Sequence, residues 1–320
     1  MTYSFERGLG NFDSLGLNHP PQRVVSLVPS VTETLFEFGL GDALVGVTDY
    51  CIYPEAAQHQ PKMGGTKNPN LARIQAALPD LIIANQEENR KEDVEALRAA
   101  GFKVWVTFPC AVQEAIDGLS AITRLFRVPR FGQQIAMLEK SLEWASLAAE
   151  NATPVRVFCP IWREPAIADG PARWWMTINE DTYLHDLLRV CGGENIFAGR
   201  QRQYPLAADL GTPSLLARSP TVPQREANGR DTRYPRVTPE EVADRAPEVI
   251  LLPSEPYAFA EADLAAFEAW PDLPAVQNQR VHLIDGSLLT WHGIRLARAL
   301  AELPAVLAPP THDDWRDANP

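Results

Sequence analysis

Two pairs of large side chains in the second half of this 320-residue sequence could hold a flat, charged ligand. Trp162 and Arg163 follow the predicted strand at 155–161, and Trp174 and Trp175 lie a few residues before a predicted helix. Aromatic faces suit a macrocycle or a catecholate ring, and a guanidinium suits carboxylates or a phosphate. Because ligands of α/β proteins bind at the carboxyl ends of strands, we predict that these residues contact a ligand. The alternative is that the tryptophans pack between two lobes without a ligand.

Two tyrosines in the first half have a similar relation to a predicted strand. Tyr50 and Tyr53 follow the strand at 44–47. A tyrosinate is a good ferric ligand, and a phenol otherwise forms an amphipathic wall. Tyr53 precedes Pro54, so a structural role explains this residue equally well.

One histidine could coordinate a metal. Trp291 and His292 follow the predicted strand at 281–284, and neutral imidazole is the form that would bind cobalt or haem iron axially. A lone histidine in such a loop is more often a hydrogen-bonding or packing residue, and no second ligand is evident nearby. Both interpretations of His292 stay open at this point.

Short polar segments could add hydrogen bonds to a ligand. Thr66, Lys67 and Asn68 follow two glycines, and Asn85 ends the predicted strand at 81–84. These side chains suit the amide groups of a ligand, although a plain turn is the alternative. The irregular segment 199–236 has a cluster of arginines that could attract anions, but a solvated loop is the simpler interpretation. They are Arg200, Arg202, Arg218, Arg225, Arg230 and Arg233.

Alternating strands and helices would position all these candidates. The predicted strands lie at 24–28, 44–47, 81–84, 104–106, 155–158, 249–252 and 281–284. The predicted helix N-caps are Ser30 or Thr32, Asn70, Asp181 or Thr182, and Thr238. Repeated strand-helix units predict parallel sheets with helices on both faces. The fold class is therefore α/β, with two Rossmann-like lobes.

A long helix is predicted at the middle of the chain. From Pro129 to about Glu150 the apolar residues follow helical spacing, and neither Gly nor Pro occurs between Gln133 and Thr153. A helix of this length between two repeated patterns can connect two domains. We predict an N-terminal extension, an α/β lobe, a connecting helix, a second α/β lobe and a tail, at 1–22, 23–128, 129–152, 153–308 and 309–320.

The composition disfavours several classes of function. The formal net charge is −12, whereas a nucleic-acid-binding surface is basic. No apolar run approaches the roughly 20 residues that a membrane span needs. The N-terminus lacks the basic and apolar regions of a secretory signal, so either the protein is cytoplasmic or it is extracytoplasmic and its signal is missing from the sequence as given. The four cysteines are far apart and are interpreted as small buried hydrophobes rather than metal ligands.

An ordered set of motifs resembles one family. The segments are RVVSLVPSVTET at 23–34, GVTDYCIYP at 46–54, PDLII at 79–83 and VCGGENIF at 190–197. Together they resemble the helical-backbone solute-binding proteins of ABC importers, which include cobalamin, haem and ferric-siderophore receptors. The similarity covers about residues 23–307 and is strongest to the cobalamin-binding branch.

The resemblance implies two α/β lobes joined by one long helix, with a metal chelate held between them and no enzymatic activity. It implies no cofactor of the protein's own; the bound ligand would be a corrinoid, a ferric siderophore or haem. In the cobalamin receptors an aromatic residue precedes an Asn-Leu helix start, where this chain has Thr66. A second aromatic residue corresponds to Tyr234. An Asp and an Arg of the family fall near Ser287 and Trp291.

The resemblance also implies an ABC permease as partner. Acidic residues of the family dock onto basic residues of the permease, and Glu240 matches one of these positions. The other position holds Ala72. A small-molecule chelate and a permease are therefore the expected partners of a monomeric protein.

Two other functions remain as alternatives. The first is a tetrapyrrole- or metal-handling enzyme of the chelatase type. His292 is the one candidate catalytic group for such an enzyme, and no catalytic motif lies next to it in the sequence. The second is an intracellular sensor or storage protein that kept the fold and lost the importer, which Ala72 and the N-terminus favour.

Overall fold

The computed structural model of the chain describes residues 7–164, 172–204 and 229–308. Its strands are β1 (Val24–Ser26), β2 (Leu44–Val47), β3 (Leu81–Asn85), β4 (Val104–Thr107), β5 (Val155–Phe158), β6 (Trp162–Glu164), β7 (Trp174–Met176), β8 (Gly193–Asn195), β9 (Arg236–Val237), β10 (Val249–Pro253) and β11 (Val281–Ile284). Its helices are α1 (Pro29–Glu37), α2 (Glu55–Gln58), α3 (Leu71–Ala76), α4 (Lys91–Ala99), α5 (Val112–Phe126), α6 (Gly132–Glu150), α7 (Tyr183–Val190), α8 (Pro239–Asp244), α9 (Glu261–Glu268), α10 (Pro274–Gln277), α11 (Ser287–Thr290) and α12 (Leu296–Leu307).

The chain divides into two compact units. The first contains the described residues of Met1–Glu143 and Trp291–Ala299, and the second contains those of Trp144–Thr290 and Leu300–Pro320. Each unit has a four-stranded parallel sheet, with strand order β2-β1-β3-β4 in the first and β11-β10-β5-β8 in the second. The predicted α/β class with two parallel sheets flanked by helices is confirmed. The five predicted domain boundaries stay a prediction.

The first unit forms around the apolar strand β3, whose five residues are all buried. Side chains of β1, β3, β4, α3 and α4 make one hydrophobic cluster beside it. Residues of the predicted N-terminal extension pack on the edge strand: Gly8 bridges Phe108, and the indole of Trp105 donates to the carbonyl of Leu9 at 2.8 Å. This part of the extension therefore completes the sheet edge.

The second unit has the same layout around β10, which is also buried throughout. In addition it has a three-stranded antiparallel sheet, β6-β7-β9, which the sequence did not lead us to expect. This small sheet carries most of the candidate tryptophans, so it decides which of them are exposed.

The helix N-caps show which local signals are reliable. The side chains of Asn70, Thr182 and Thr238 accept from backbone amides as predicted, and Thr238 forms a capping box with Glu241. The prediction for α1 was wrong: this helix begins at Pro29, because a proline at the first position has a φ suited to a helix and needs no amide donor.

The predicted central helix is a single element. Helix α6 runs for 19 residues without a break and carries the chain from the first unit to the second. No helix within the described ranges combines the length and apolar character required to cross a bilayer. The four cysteines are free and buried, which confirms their interpretation as small core residues.

Candidate ligand-binding site

The first unit contains an aromatic corner, which is formed by the rings of Tyr53 and Trp291 and the guanidinium of Arg295. The rings of Tyr53 and Trp291 meet edge to face, with centroids 6.1 Å apart. The guanidinium of Arg295 lies over both rings, 4.4 Å from the Tyr53 centroid and 4.6 Å from that of Trp291. Glu33 of α1 accepts from Arg295 at 2.7 and 2.9 Å, so the cation and both rings have one fixed arrangement.

A buried polar network stabilises the loop that carries Tyr50 and Tyr53. The thiol of Cys51 lies 3.1 Å from the hydroxyls of both Thr32 and Thr48. The ammonium of Lys62 donates to the carbonyls of Cys51 and Ala57 at 3.1 and 3.3 Å. Because this network fixes the loop backbone, the exposed tyrosines need little ordering when a ligand binds.

Tyr50 is the most accessible aromatic residue of this loop, with 62% of its surface exposed. A β-carbon added to Gly65 would lie 3.4 Å from the Tyr50 ring, so the ring lies against the glycine backbone. Gly64 has a φ of +90°, which turns the chain here. The predicted polar loop follows: Thr66 is half-buried, while Lys67 and Asn68 are exposed beside the tyrosine.

Lys67 and Thr66 are nevertheless tied to their surroundings. The ammonium of Lys67 donates to the carbonyl of Glu87, and burial lowers its pKa against the opposing effect of two nearby glutamates. Asn89 donates to the carbonyl of Thr66 at 3.0 Å. The loop therefore presents Asn68 as its least restrained side chain, although all three predicted residues lie on the same loop.

Asn85, which is predicted to hydrogen-bond a ligand, is buried in the structure. Its side chain accepts from the amide of Glu87 at 2.7 Å, and the residue is buried at the end of β3. An amide side chain at a strand end can close the turn that follows, and Asn85 closes the turn after β3 in this way. Asn85 lines an internal cavity rather than the surface that carries Tyr50.

His292 is largely buried next to the corner. Its Nε2 lies 4.0 Å from a carboxylate oxygen of Glu87, and burial lowers its pKa despite that carboxylate. The imidazole is therefore mainly neutral near pH 7, the state that a metal ligand requires. Among the described residues, no group of three or more His, Cys, Asp or Glu side chains could hold a metal ion.

Strand alternation determines which tryptophans of the second unit are buried and which are accessible. In the hairpin formed by β6 and β7, Arg163 pairs with Trp175, and both are buried, at 1% and 2% exposure. Trp162, which is 37% exposed, and the half-buried Trp174 occupy the alternate positions. Successive strand residues point to opposite faces, so neighbours such as Trp174 and Trp175 do not face one ligand together.

The predicted ligand contacts of Arg163 and Trp175 are therefore corrected. Arg163 makes an ion pair with Asp263, and the side chains of both are almost fully buried. Asp263 also accepts from the amide of Ala260 at 2.9 Å, which caps α9. Trp175 stacks on Phe267 with centroids 5.3 Å apart. These residues position the hairpin from inside the unit.

The outward residues of the small sheet meet arginines and aromatic rings. Trp162 packs edge to face on Tyr257 at 5.6 Å. The guanidinium of Arg236 lies 4.0 Å from the Trp174 ring, and Arg233 lies 5.2 Å from the half-buried ring of Tyr234. Trp162, Trp174 and Tyr234 are thus the predicted aromatic residues of this unit that keep an accessible surface.

The arginine-rich segment is only partly described. Arg200 pairs with Glu241, and the guanidiniums of Arg202 and Arg230 both lie over the Tyr204 ring. Arg218 and Arg225 lie outside the described residues. The described arginines have carboxylate or aromatic neighbours, and the solvated loop stays the prediction for this segment. Glu240 is exposed in the first turn of α8, and Ala72 is exposed on α3.

Comparison with known proteins identifies the family. The model of the family described as periplasmic binding protein matches residues 24–288. The chain belongs to the periplasmic binding protein family. Its members are binding proteins rather than enzymes, and the resemblance seen in the sequence motifs is confirmed.

Relatives of the chain are named as vitamin B12-binding and haem-binding proteins. A vitamin B12-binding protein of Vibrio vulnificus (strain CMCP6) is 31% identical over 187 residues, 58% of this chain and 65% of the relative. The periplasmic vitamin B12-binding protein BtuF of Vibrio cholerae superposes with a TM-score of 0.69 at 25% identity, covering 90% of this chain and 97% of that one. A periplasmic haem-binding protein from Pseudomonas aeruginosa shares the fold, with a TM-score of 0.67 at 20% identity over 91% and 94% of the two chains.

Residues that the sequence analysis missed hold the predicted ones in place. Arg295 and Glu33 fix the corner of Tyr53 and Trp291, and Tyr257 packs on Trp162. Arg295 follows Trp291 by four residues, a spacing that could have drawn attention to it. No local signal links Glu33 to a residue more than 250 positions away.

Proposed function

We propose that this member of the periplasmic binding protein family binds a metal chelate, a corrinoid, ferric siderophore or haem, and releases it unchanged. The names of its relatives support this ligand class, since they include vitamin B12-binding and haem-binding proteins. A purely binding role agrees with the family, whose members are binding proteins. The metal is therefore cargo held within the chelate.

The observation that carries the proposal is the fixed aromatic corner of the first unit. Tyr53, Trp291 and the guanidinium between them form a rigid, mixed apolar and cationic surface, and Tyr50 is exposed on the same loop as Tyr53. A flat conjugated ring gains from aromatic contact, while its acidic substituents gain from a cation. Such a preformed surface loses little conformational entropy on binding.

The second unit has three accessible aromatic side chains of its own. Trp162, Trp174 and Tyr234 keep accessible ring surface, and Arg233 and Arg236 lie against two of these rings. We infer that these rings are ligand-contacting residues of the second unit, and that the polar loop at Thr66–Asn68 has that role in the first unit. Ligand pockets are usually lined in this way, by aromatic residues with a few polar groups.

We further propose that the chain delivers its chelate to an ABC permease outside the cytoplasm. The comparisons do not support the expectation of a cytoplasmic protein, because the solved relatives are named as periplasmic. Glu240 is exposed at the start of a capped helix, where a carboxylate can meet a basic partner. Ala72 leaves the matching position on α3 uncharged, so docking would rely on fewer charge pairs.

Titration with three chelates tests the proposal. Cyanocobalamin, haem and a ferric catecholate siderophore are added separately while tryptophan fluorescence is followed. One of the three should quench fluorescence saturably, and Trp162→Phe should lose part of that quenching. Trp144→Phe is the matched control, because Trp144 is an exposed tryptophan on α6 that belongs to neither aromatic group.

A variant in the first unit tests more directly whether the aromatic surface contacts the chelate. Tyr50→Ala removes an exposed ring with few structural contacts, so it should weaken binding by roughly tenfold without lowering the melting temperature. Tyr204→Ala, which removes a ring from the arginine-rich segment, is the comparison. Unchanged affinity in Tyr50→Ala would exclude this surface as the site.

A further inference from the structure

A second candidate site is a cavity inside the first unit, at the carboxyl ends of its parallel strands. Its volume is about 30 Å³ for the centre of a water-sized sphere, and it is partly open to solvent. Its lining includes Val28, Ser30, Asn85, Thr107, Glu114 and His292, but none of the tyrosines of the aromatic corner. The cavity is therefore distinct from the surface proposed to meet the chelate.

The strand order places this cavity where α/β proteins bind ligands. From β1 the chain passes through α1 to β2 on one side, and from β3 it passes through α4 to β4 on the other. The two connections diverge between β1 and β3, which creates a crevice at the carboxyl ends of these strands. Such a switch point is the usual ligand position in open parallel sheets.

The N-terminus of α1 supplies hydrogen-bond donors to the cavity. Val28 is the N-cap, and no side chain caps the helix. The first amide with a helical acceptor is that of Thr32, which donates to the carbonyl of Val28 at 3.0 Å. The amides of Ser30 and Val31 precede it and so have no acceptor within the helix. The first turn also has no acidic residue that would oppose an anion.

The hydroxyl of Ser30 is an independent observation that points to a ligand. Ser30 is 2% exposed, and its Oγ is buried without a hydrogen-bond partner among the described residues. Leaving a buried hydroxyl unpaired destabilises the folded state. A polar ligand in the cavity would remove that cost.

The other polar groups of the lining favour a ligand that accepts hydrogen bonds. The one carboxylate, Glu114, is already paired with the guanidinium of Arg7 at 2.9 Å and accepts from the amide of Cys110 at 2.7 Å. The side-chain oxygen of Asn85 accepts from the amide of Glu87. The groups left for a ligand are therefore mainly donors: two amides and a hydroxyl at the positive end of a helix.

We propose that this cavity binds a small oxyanion, a phosphate or carboxylate group, through the amides of Ser30 and Val31 and the hydroxyl of Ser30. The group has two sources: a free anion, or an acidic substituent of the chelate. The free-anion case does not depend on the proposed function. The second case rests on it.

The first test is a phosphate titration of ¹⁵N-labelled protein followed by NMR, with chloride added to the same ionic strength as a reference. A bound anion should shift the amide resonances of Ser30 and Val31 saturably. Ser30→Ala removes one hydrogen bond to a charged group and should weaken phosphate binding by roughly tenfold. Ser141→Ala, which lies on α6 outside the cavity, should bind as the unchanged protein does.

The second test separates the two sources. Haem and haem dimethyl ester are compared by the same resonances, and binding of each is checked by the haem absorption band. If haem but not its ester shifts the Ser30 and Val31 amides, the oxyanion comes from the chelate. If neither phosphate nor haem shifts them, or if Ser30→Ala binds phosphate as tightly as the unchanged protein, the site holds water only and the proposal is overturned.

Failure of the proposed function would look different. If haem does not bind at all, its absorption band stays unchanged, and that result concerns the chelate proposal. The phosphate titration then decides the oxyanion site alone.

Discussion

Arg295 donates to Glu33 through two nitrogens, at 2.7 and 2.9 Å, although the two residues are 262 positions apart in the sequence. The same guanidinium covers the rings of Tyr53 and Trp291. One ion pair therefore fixes the cation and, through it, both rings of the corner. This makes Arg295 a positioning residue for the proposed ligand surface.

Replacing this arginine should loosen the corner. Arg295→Lys keeps the charge but loses the planar contact with two rings and the two-point contact with Glu33, so chelate affinity should fall by roughly tenfold. The exposed Arg298, on helix α12 that begins just after Arg295, provides the control, Arg298→Lys, with unchanged affinity. Calorimetric titration measures both. Equal affinity in the two variants would mean that the corner does not contact the ligand.

The buried pair of Arg163 and Asp263 predicts a large effect on stability. Arg163→Met leaves the carboxylate of Asp263 buried without its counter-ion, which should lower the free energy of unfolding by about 3–5 kcal/mol. Urea denaturation measures this change. The double variant Arg163→Met/Asp263→Asn should recover part of the loss, because no buried charge remains. No recovery would argue that packing, not charge, causes the effect.

The four thiols should be unreactive in the folded protein. Burial raises the pKa of Cys159 and of Cys191 to about 12, and it raises the pKa of Cys51 as well. A disulfide reagent near pH 8 should label none of them until urea unfolds the chain, when all four should react. Rapid labelling of the folded protein would contradict the core positions assigned to them.

The same thiols give stability a defined dependence on alkaline pH. Burial raises the folded-state pKa of Cys51, Cys159 and Cys191 above the ordinary value of 9.0, so their contribution to stability is full below about pH 9. Above it the unfolded chain loses protons that the folded chain keeps. The free energy of unfolding should therefore fall as pH rises from about 9 toward 12, which denaturation at several pH values would measure.

His292 should destabilise the protein at acid pH. Burial lowers its pKa below the ordinary value of 6.5, so its contribution is full above that pH and is lost as the pH falls. His292→Gln should reduce the loss of melting temperature between about pH 8 and pH 5, whereas the exposed His59→Gln should not. The absorption spectrum of a bound cobalt or iron chelate should also change in His292→Gln if the imidazole is an axial ligand.

Local signals in the sequence predicted much of the fold. Thr238 is the N-cap of α8, Pro239 is its first residue, and Glu241 completes the capping box. Neighbouring residues alone therefore define this helix start, which the structure shows. The apolar run of β3 and the uninterrupted helical spacing of α6 are equally local. Each of these features depends on residues within one or two turns or one strand.

The candidate site was predicted less well because its geometry depends on distant pairings. The hairpin of β6 and β7 decides that Trp175 is buried and Trp174 is accessible, and nothing in the pair of adjacent tryptophans indicates that difference. Arg163 was expected to contact a ligand, yet it forms a buried ion pair with Asp263, a carboxylate 100 positions later in the sequence. Sequence patterns identify the kinds of side chain in the site, whereas tertiary contacts determine which of them a ligand can reach.

The central claim is that the chain binds an intact metal chelate. The most direct test is an absorption titration of cyanocobalamin, haem and a ferric catecholate siderophore with the purified protein, followed by mass spectrometry of the ligand released on denaturation. The account predicts a saturable spectral change with one of the three and recovery of that chelate chemically unchanged. No saturable change with any of them, or recovery of a chemically altered chelate, would contradict it.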